Sequence, residues 1–401
     1  MHSREPNRID NNALKVTDQQ VGGVELLTEE ERTVLTQDVA SSEKVSPEVL
    51  STRFQYLAEH VTGALQPNTA EAKLEAAKLK DALVTVHNNT YQLKRFIGRG
   101  NFGIAYLAEQ LGTGKQYVIK LSKPYDHKLM RQPAQPTIEQ KRAGNTARYA
   151  VSEIAVLHRL THDEQNQPLE RHDGEPPFPI MYEAQLMQDP LADRSTVDMR
   201  MAAEVIEYID GPNLQRVLRE EGPMRDDLPR LKKIVLGFIH AIRRMHDKGV
   251  LHLDVKISNA VIDDDDNVIV LDYGASQIPE KWASRRAKPI VWADPLMPVY
   301  SKRYTTRTDV DNIPSPARDV YALGVSLQEL VYGLSDVENI MEIQAGFSRE
   351  LRVLDATIAT MVNPDPDQRP TLAEVEQHLK TSWQELEDQA ALAAVKQLIA
   401  S

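Results

Sequence analysis

The chain has no cysteine among its 401 residues, which excludes disulfides and thiolate metal sites outright. It has no apolar run of the ~18 residues that a membrane-spanning helix needs. Its first residues, Met1 to Asn12, are polar and lack the apolar core of a signal peptide. Positive charge is also short: the formal net charge is −12, which speaks against general nucleic-acid binding, a task for a basic face. What is present describes an ordinary soluble globular protein, 41% hydrophobic and 26% charged. The length suits two or three domains with cores that need no staples. Together these features predict a cytoplasmic protein, or one exported without a classical signal.

Composition divides the chain. Residues 1–22 are polar and aperiodic, the texture of a disordered segment. Residues 23–90 read as a helical extension. Thr28 with Glu31 spells a capping box, and Ser46-Pro47-Glu48 opens a second helix with proline in its first turn. Thr69 opens a third, with Leu74, Leu79 and Leu83 recurring on one face. The extension is either a module docked on the main domain or a helical spacer.

From Tyr91 the texture turns to strands. Y-Q-L-K-R-F-I-G-R-G-N-F-G-I-A-Y-L-A-E alternates, turns on glycines, and alternates again. A dinucleotide fold would open a helix after such glycines, but Gln116 to Leu121 reads as another strand, ending at Lys120. A glycine hairpin followed by a lysine-bearing strand suits a lid over phosphates with a cation beneath it. Further along stand V-S-E-I-A-V-L-H-R-L around Glu153 and E-V-I-E-Y-I-D-G from Glu204 to Gly211. H-L-D-V-K-I-S-N follows from His252 to Asn259, then D-Y-G from Asp272, D-V-Y-A-L-G from Asp319, and D-Q-R-P around Arg369.

In order and spacing these motifs resemble the eukaryotic-type serine/threonine protein kinases over roughly residues 91–379. The resemblance implies an α+β, bilobal fold: a small antiparallel β-sheet lobe at 91–209 and a larger, mainly helical lobe at 210–380. A C-terminal helix at 381–401 would pack through Leu386, Leu392 and Leu398. It also implies ATP and Mg²⁺ as cofactors and a protein substrate. Gly98, Gly100 and Gly103 would cover the nucleotide, with Ala105 and Val118 as roof and Val261 also lining the pocket. Lys120 would hold the phosphates and pair with Glu153. Backbone groups of Glu207 and Ile209 would meet adenine behind Ile206 as gatekeeper. Asp254 would be the catalytic acid with Lys256 two positions on, and Asn259 and Asp272 the metal ligands. His252, Tyr273 and Leu157 would form a packing spine.

Physical chemistry gives this pattern its sense. Phosphoryl transfer asks a protein mainly for positioning and charge neutralisation. Asp272 and Asn259 offer the hard oxygens that Mg²⁺ prefers, with phosphates and water to complete its octahedron. The runs A-V-I and V-I-V-L read as a hairpin turning at Asp263 to Asn267, which places both acids at one edge. The acidic tetrad Asp263–Asp266 reads as its solvated turn.

The departures are as informative. Thirty-three positions separate Lys120 from Glu153, including a polar insert with prolines, and a second polar insert runs from His162 to Pro177. No A-P-E motif is legible; Y-S-K-R-Y from Tyr300 offers no glutamate to Arg369, leaving Asp309 or Asp311 as its partner. Between Pro279 and Arg307 seven basic residues face two acids, a strip suited to an acidic or phosphorylated substrate. Leu253 stands where most regulated kinases carry an arginine, which predicts activity without activation-segment phosphorylation. The divergence and the missing cysteines would fit a bacterial source. Two other readings stay open: a pseudokinase acting as a scaffold, and a small-molecule or lipid kinase on the same scaffold.

Overall fold

The computed structural model describes residues 45–66, 70–100, 103–130, 138–193, 197–279, 301–311, 314–334 and 340–400. The segment 1–22, Thr28, Glu31, Thr69 and most of the basic strip lie outside them.

Helix α1 (Pro47–Ala64) starts as its sequence dictates. The Ser46 side chain accepts from the Val49 amide at 3.4 Å, Pro47 needs no donor partner, and Glu48 faces the helix's positive end. Phe54, Leu57, Val61 and Ala64 bury one stripe of it. Helix α2 (Ala70–Lys78) packs beside it, where Glu75 takes His60 Nδ1 at 2.5 Å and Lys78 at 2.8 Å.

Here the apolar spacing misleads. The helix closes at Lys78, and Leu83 lies not on its face but at the start of strand β1 (Leu83–Val86). Asp81 turns into the left-handed region (φ 69°), and its amide goes to the Leu93 carbonyl at 2.7 Å, handing the chain to the sheet. Val84, Thr85 and Val86 then favour a strand. The expected boundary at residue 90 falls inside strand β2 (Asn89–Arg99).

The sheet is antiparallel throughout. Strands β3 (Gly103–Gln110), β4 (Gln116–Ser122), β5 (Tyr125–Asp126), β6 (Met181–Gln188) and β7 (Met199–Glu207) complete it, in the order β1-β2-β3-β4-β7-β5 with β6 on the other side of β7. Helix α3 (Ile138–Thr161) crosses between β5 and β6. One face of the sheet packs on α1 and α2 through Tyr91, Tyr106, Ile119 and Val205. A second core runs from Leu157 and Leu160 of α3 through Ile206 into the large lobe.

That lobe holds α4 (Leu214–Glu221), α5 (Leu228–Asp247), the hairpin β8 (Ala260–Ile262) and β9 (Val268–Val270), α6 (Arg307–Asp311), α7 (Pro316–Tyr332), α8 (Ile340–Ala345), α9 (Arg349–Met361) and α10 (Leu372–Ala400). The helix expected at 381–401 belongs to α10, which begins at Leu372. Its packing ends near Trp383, whose indole donates to the Glu350 carbonyl at 3.2 Å. Leu392 is 56% exposed, so the apolar spacing of the last turns buries nothing among the described residues.

Candidate active site

The glycine hairpin joins β2 to β3, with the Gly100 amide on the Gly103 carbonyl at 2.9 Å. A Cβ at Gly103 would stand 2.7 Å from the Leu121 carbonyl, so the close approach of β3 to β4 demands glycine there. Ala105 pairs with Lys120 across the ladder, and Val118 with both Leu107 and Ile206. Val261 is buried at the β8–β9 hairpin, and the hinge passes it so tightly that a Cβ at Gly211 would collide with the Ile262 carbonyl.

Lys120 Nζ lies 2.5 Å from Glu153 Oε1 and 3.5 Å from Asp272 Oδ1. Burial opposes its charge, but the carboxylates of Glu153, Asp272 and Glu204 outweigh burial and raise its pKa above that of an ordinary lysine. Burial likewise opposes the Asp272 charge; Lys120, His252 and Lys256 overcome it and hold the acid below the usual carboxylate range.

Glu204 was missed in the sequence. It faces Lys120 across the β4–β7 register and is 2% exposed, and its Oε2 has no hydrogen-bond partner among the described residues. Burial first, then the charge of Glu153, pushes its pKa well above the usual range. Three acids share one lysine, and burial disfavours the charge of the one whose Oε2 finds no donor. An alternating strand that ends at the hinge gave no hint of this.

The stretch from His252 to Asn259 is held from below. Asp319 of α7 is fully buried and accepts from the His252 amide at 2.9 Å, the Leu253 amide at 2.7 Å and His246 Nε2 at 2.9 Å. These bonds hold Leu253 at φ 65°, a conformation costly for leucine. Asp254 follows, its Oδ2 2.6 Å from Lys256 Nζ and its Oδ1 accepting from Ser301 Oγ at 3.0 Å. Asn259 Nδ2 donates to the Asp254 carbonyl at 3.1 Å, which leaves the amide oxygen for another partner. The His252 and Tyr273 rings meet at 5.6 Å between centroids, tilted by 45°, and Tyr273 shares one core with buried Leu157. Asp263 Oδ1 accepts the amides of Asp265 and Asn267 within the turn, and Asp266 pairs with Arg230 of α5.

Arg369 pairs with Asp309, the first of the two acids read for it: Nη1 to Oδ1 at 2.8 Å and Nη2 to Oδ2 at 3.1 Å, with both side chains almost wholly buried. Thr306 Oγ1 donates to the same carboxylate at 2.6 Å. The insert at 162–177 is built rather than loose. Its Arg171 grips both oxygens of Glu207 at 2.9 and 2.8 Å, bracing the first hinge residue. Of the basic strip, Arg303 reaches Glu329 at 3.3 Å, while Lys302 and Arg307 are exposed.

Residues 194–383 match the family model of the protein kinase domain. The chain carries a eukaryotic-type protein kinase domain. It is 26% identical to a CBL-interacting serine/threonine-protein kinase of Arabidopsis thaliana over 73% of this chain and 56% of that protein. It is 25% identical to a probable serine/threonine-protein kinase of Dictyostelium discoideum over 72% and 36%, respectively. A serine/threonine/tyrosine-protein kinase of Arabidopsis thaliana shares 27% identity over 36% of this chain and 35% of its own length. The chain thus spans about half the length, or less, of the curated relatives it matches. Among its described residues no helix is long and apolar enough to cross a membrane. Lys120 and Glu153 precede the matched span, and Lys120 joins them to Asp272 within it.

Proposed function

We propose that this kinase domain transfers the γ-phosphoryl group of ATP to serine or threonine hydroxyls of a protein substrate. The observation that carries the reading is Asp254, which already accepts a hydroxyl, that of Ser301, while Lys256 holds its other oxygen. A substrate hydroxyl in place of Ser301 Oγ meets a base on one side and a cation on the other. Asp254 accepts its proton, and Lys256 steadies charge on the transferred group. Lys120, kept charged by Glu153, grips the non-transferred phosphates. Ala105, Val118, Val261 and the backbones of Glu207 and Ile209 enclose the base.

The donor set fits Mg²⁺. Asp272 stays ionised, and the Asn259 amide nitrogen is spent on a carbonyl, which leaves hard oxygens on both. When bound, the ion neutralises the charge of the phosphates. Leu253 supports activity without a phosphorylated activation segment, and the strip at 279–307 supports an acidic or phosphorylated substrate. A cytoplasmic setting, or an export route, accords with this chemistry.

Incubation with Mg²⁺ and γ-labelled ATP, followed by mass spectrometry of the chain and of acidic test peptides, checks the reading. Phosphoserine or phosphothreonine that vanishes in Asp254→Ala is the expected result. Label on tyrosine alone, on lipid alone, or nowhere overturns it.

A further inference from the structure

Arg99 stands between the first two glycines of the hairpin, and its side chain points away from the nucleotide pocket. Its Nη1 donates to the Ala64 carbonyl at 3.0 Å and to the Gln66 carbonyl at 2.8 Å. These are acceptors at the C-terminal end of α1, where the last carbonyls of a helix lack intrahelical partners and carry partial negative charge. A cation there satisfies two orphan groups at once.

The support behind these carbonyls is firm. Phe54, Leu57, Val61 and Ala64 of α1 share one core with Tyr106 and Ile104 of β3. The Tyr106 hydroxyl donates to the Ala76 carbonyl of α2, and Gln55 reaches Asp189 at the end of β6 at 2.8 Å. A Cβ built at Gly98 or at Gly100 meets nothing within 4 Å.

We infer that Arg99 is a positioning residue for the nucleotide, through which the helical extension sets the place of the glycine loop over the phosphates. The inference rests on the ATP-dependent reading above. Glycines free the loop to move, and freedom has an entropic cost when ATP must be clamped. A guanidinium fastened to a rigid helix end removes part of that cost before ATP arrives. The extension is thereby part of the nucleotide site and not a spacer.

The test is Arg99→Ala, Arg99→Gln and Arg99→Lys in the full chain. Hydrogen bonds to a charged group of this kind correspond to about a tenfold change in an equilibrium. Arg99→Ala and Arg99→Gln should therefore weaken binding of a fluorescent ATP analogue by about tenfold, and raise KM for ATP alike with kcat changed less. The lysine variant should recover part of the loss. Arg99 is exposed, so melting temperatures should stay close to wild type. In nucleotide-free protein, amides of residues 100–104 should exchange hydrogen faster in the alanine variant. Wild-type affinity together with wild-type exchange in Arg99→Ala overturns the inference, as does an equal loss of melting temperature and affinity in all three variants. If the wild-type chain transfers no phosphoryl group, the functional reading falls, and the exchange experiment still decides whether Arg99 holds the loop.

Discussion

Lys120 and Lys256 are alike in exposure, 22% and 23%, and each sits against one carboxylate, at 2.5 and 2.6 Å. Their surroundings differ. Lys120 faces three acids: Glu153 and Glu204, both buried, and Asp272, which is exposed. Lys256 shares its one acid, Asp254, with a serine hydroxyl. The first lysine cannot leave without stranding buried charge, so it suits a fixed strut between β4 and α3. The second pair can rearrange when a substrate hydroxyl arrives. In the proposed reaction Lys120 grips phosphates from a fixed place, whereas Lys256 and Asp254 rearrange around the incoming hydroxyl.

The largest effect expected is at the reactive pair. Asp254→Ala should lower phosphoryl transfer by about 10²–10⁴-fold, the usual contribution of a positioned base. Binding of a fluorescent ATP analogue should hardly change, because Asp254 touches the hydroxyl side. Comparable losses of binding and transfer would mean that Asp254 is a strut like Glu153, and the contrast would fail.

A third pair, Arg369–Asp309, extends the comparison to full burial. Its side chains are 0% and 2% exposed, and the guanidinium also lies over the Tyr321 ring at 4.8 Å. Arg369→Ala leaves the Asp309 carboxylate uncompensated and should cost about 3–5 kcal/mol in urea unfolding. The double change Arg369→Leu with Asp309→Leu should restore much of it. A loss below ~1 kcal/mol, the range of a surface pair, would show that the docking segment is anchored elsewhere.

A smaller effect sharpens the strut itself. Glu204, its pKa raised, keeps a proton in the folded state that the unfolded chain releases near pH 4.3. The folded state therefore binds more protons above that pH, and stability falls as pH rises toward the folded pKa. Asp272 runs the other way: its pKa is lowered, so the stability it gives is present above about pH 3.9 and lost in acid. Glu204→Gln should flatten the decline on the alkaline side of the curve and preserve activity. An unchanged slope would mean that Glu204 is already ionised.

Legibility followed chemistry. Asp254, Lys256, Asn259 and Asp272 were picked out through the resemblance to the kinases, and the structure brings Lys256 and Asn259 against Asp254 and sets Asp272 beside Lys120. The candidate partners of Arg369 were readable because a buried guanidinium requires an acid. Leu83 was misread because helical spacing cannot register the left-handed turn at Asp81. Leu392 was misread because spacing does not say where a surface to pack on ends. Glu204 and the Arg171–Glu207 brace were invisible, since each depends on partners that only the assembled sheet and insert bring together. Thr306 was not singled out in the sequence. Its hydroxyl, bound to Asp309, makes it part of the Arg369 anchor.

The smallest effect expected concerns regulation and returns to the reactive lysine's neighbour. Where an arginine precedes the catalytic acid, its charge waits for a phosphate on the activation segment. Leu253 has no charge, is 6% exposed, and has its amide fastened to Asp319. The turn that carries Asp254 is thus set by a buried carboxylate that no phosphatase can reach. Ser301 and Thr305 are joined by a hydrogen bond of 3.0 Å from Thr305 Oγ1 to the Ser301 carbonyl, and Thr306 is tied to Asp309, so packing and hydrogen bonds already order this end of the segment. Chain made in bacteria and treated with phosphatase should keep its activity within about twofold, well inside the tenfold that ~1.4 kcal/mol would give. Substituting Thr306 is the wrong control, because it would loosen the Arg369 anchor whatever its phosphorylation. Thr305→Ala and Thr308→Ala avoid that, and both should leave activity near wild type. Activity silenced by phosphatase and restored by rephosphorylation would show that a cation other than one at position 253 reads the phosphate. The difference between the fixed lobe and the reactive lobe would then be a switched one.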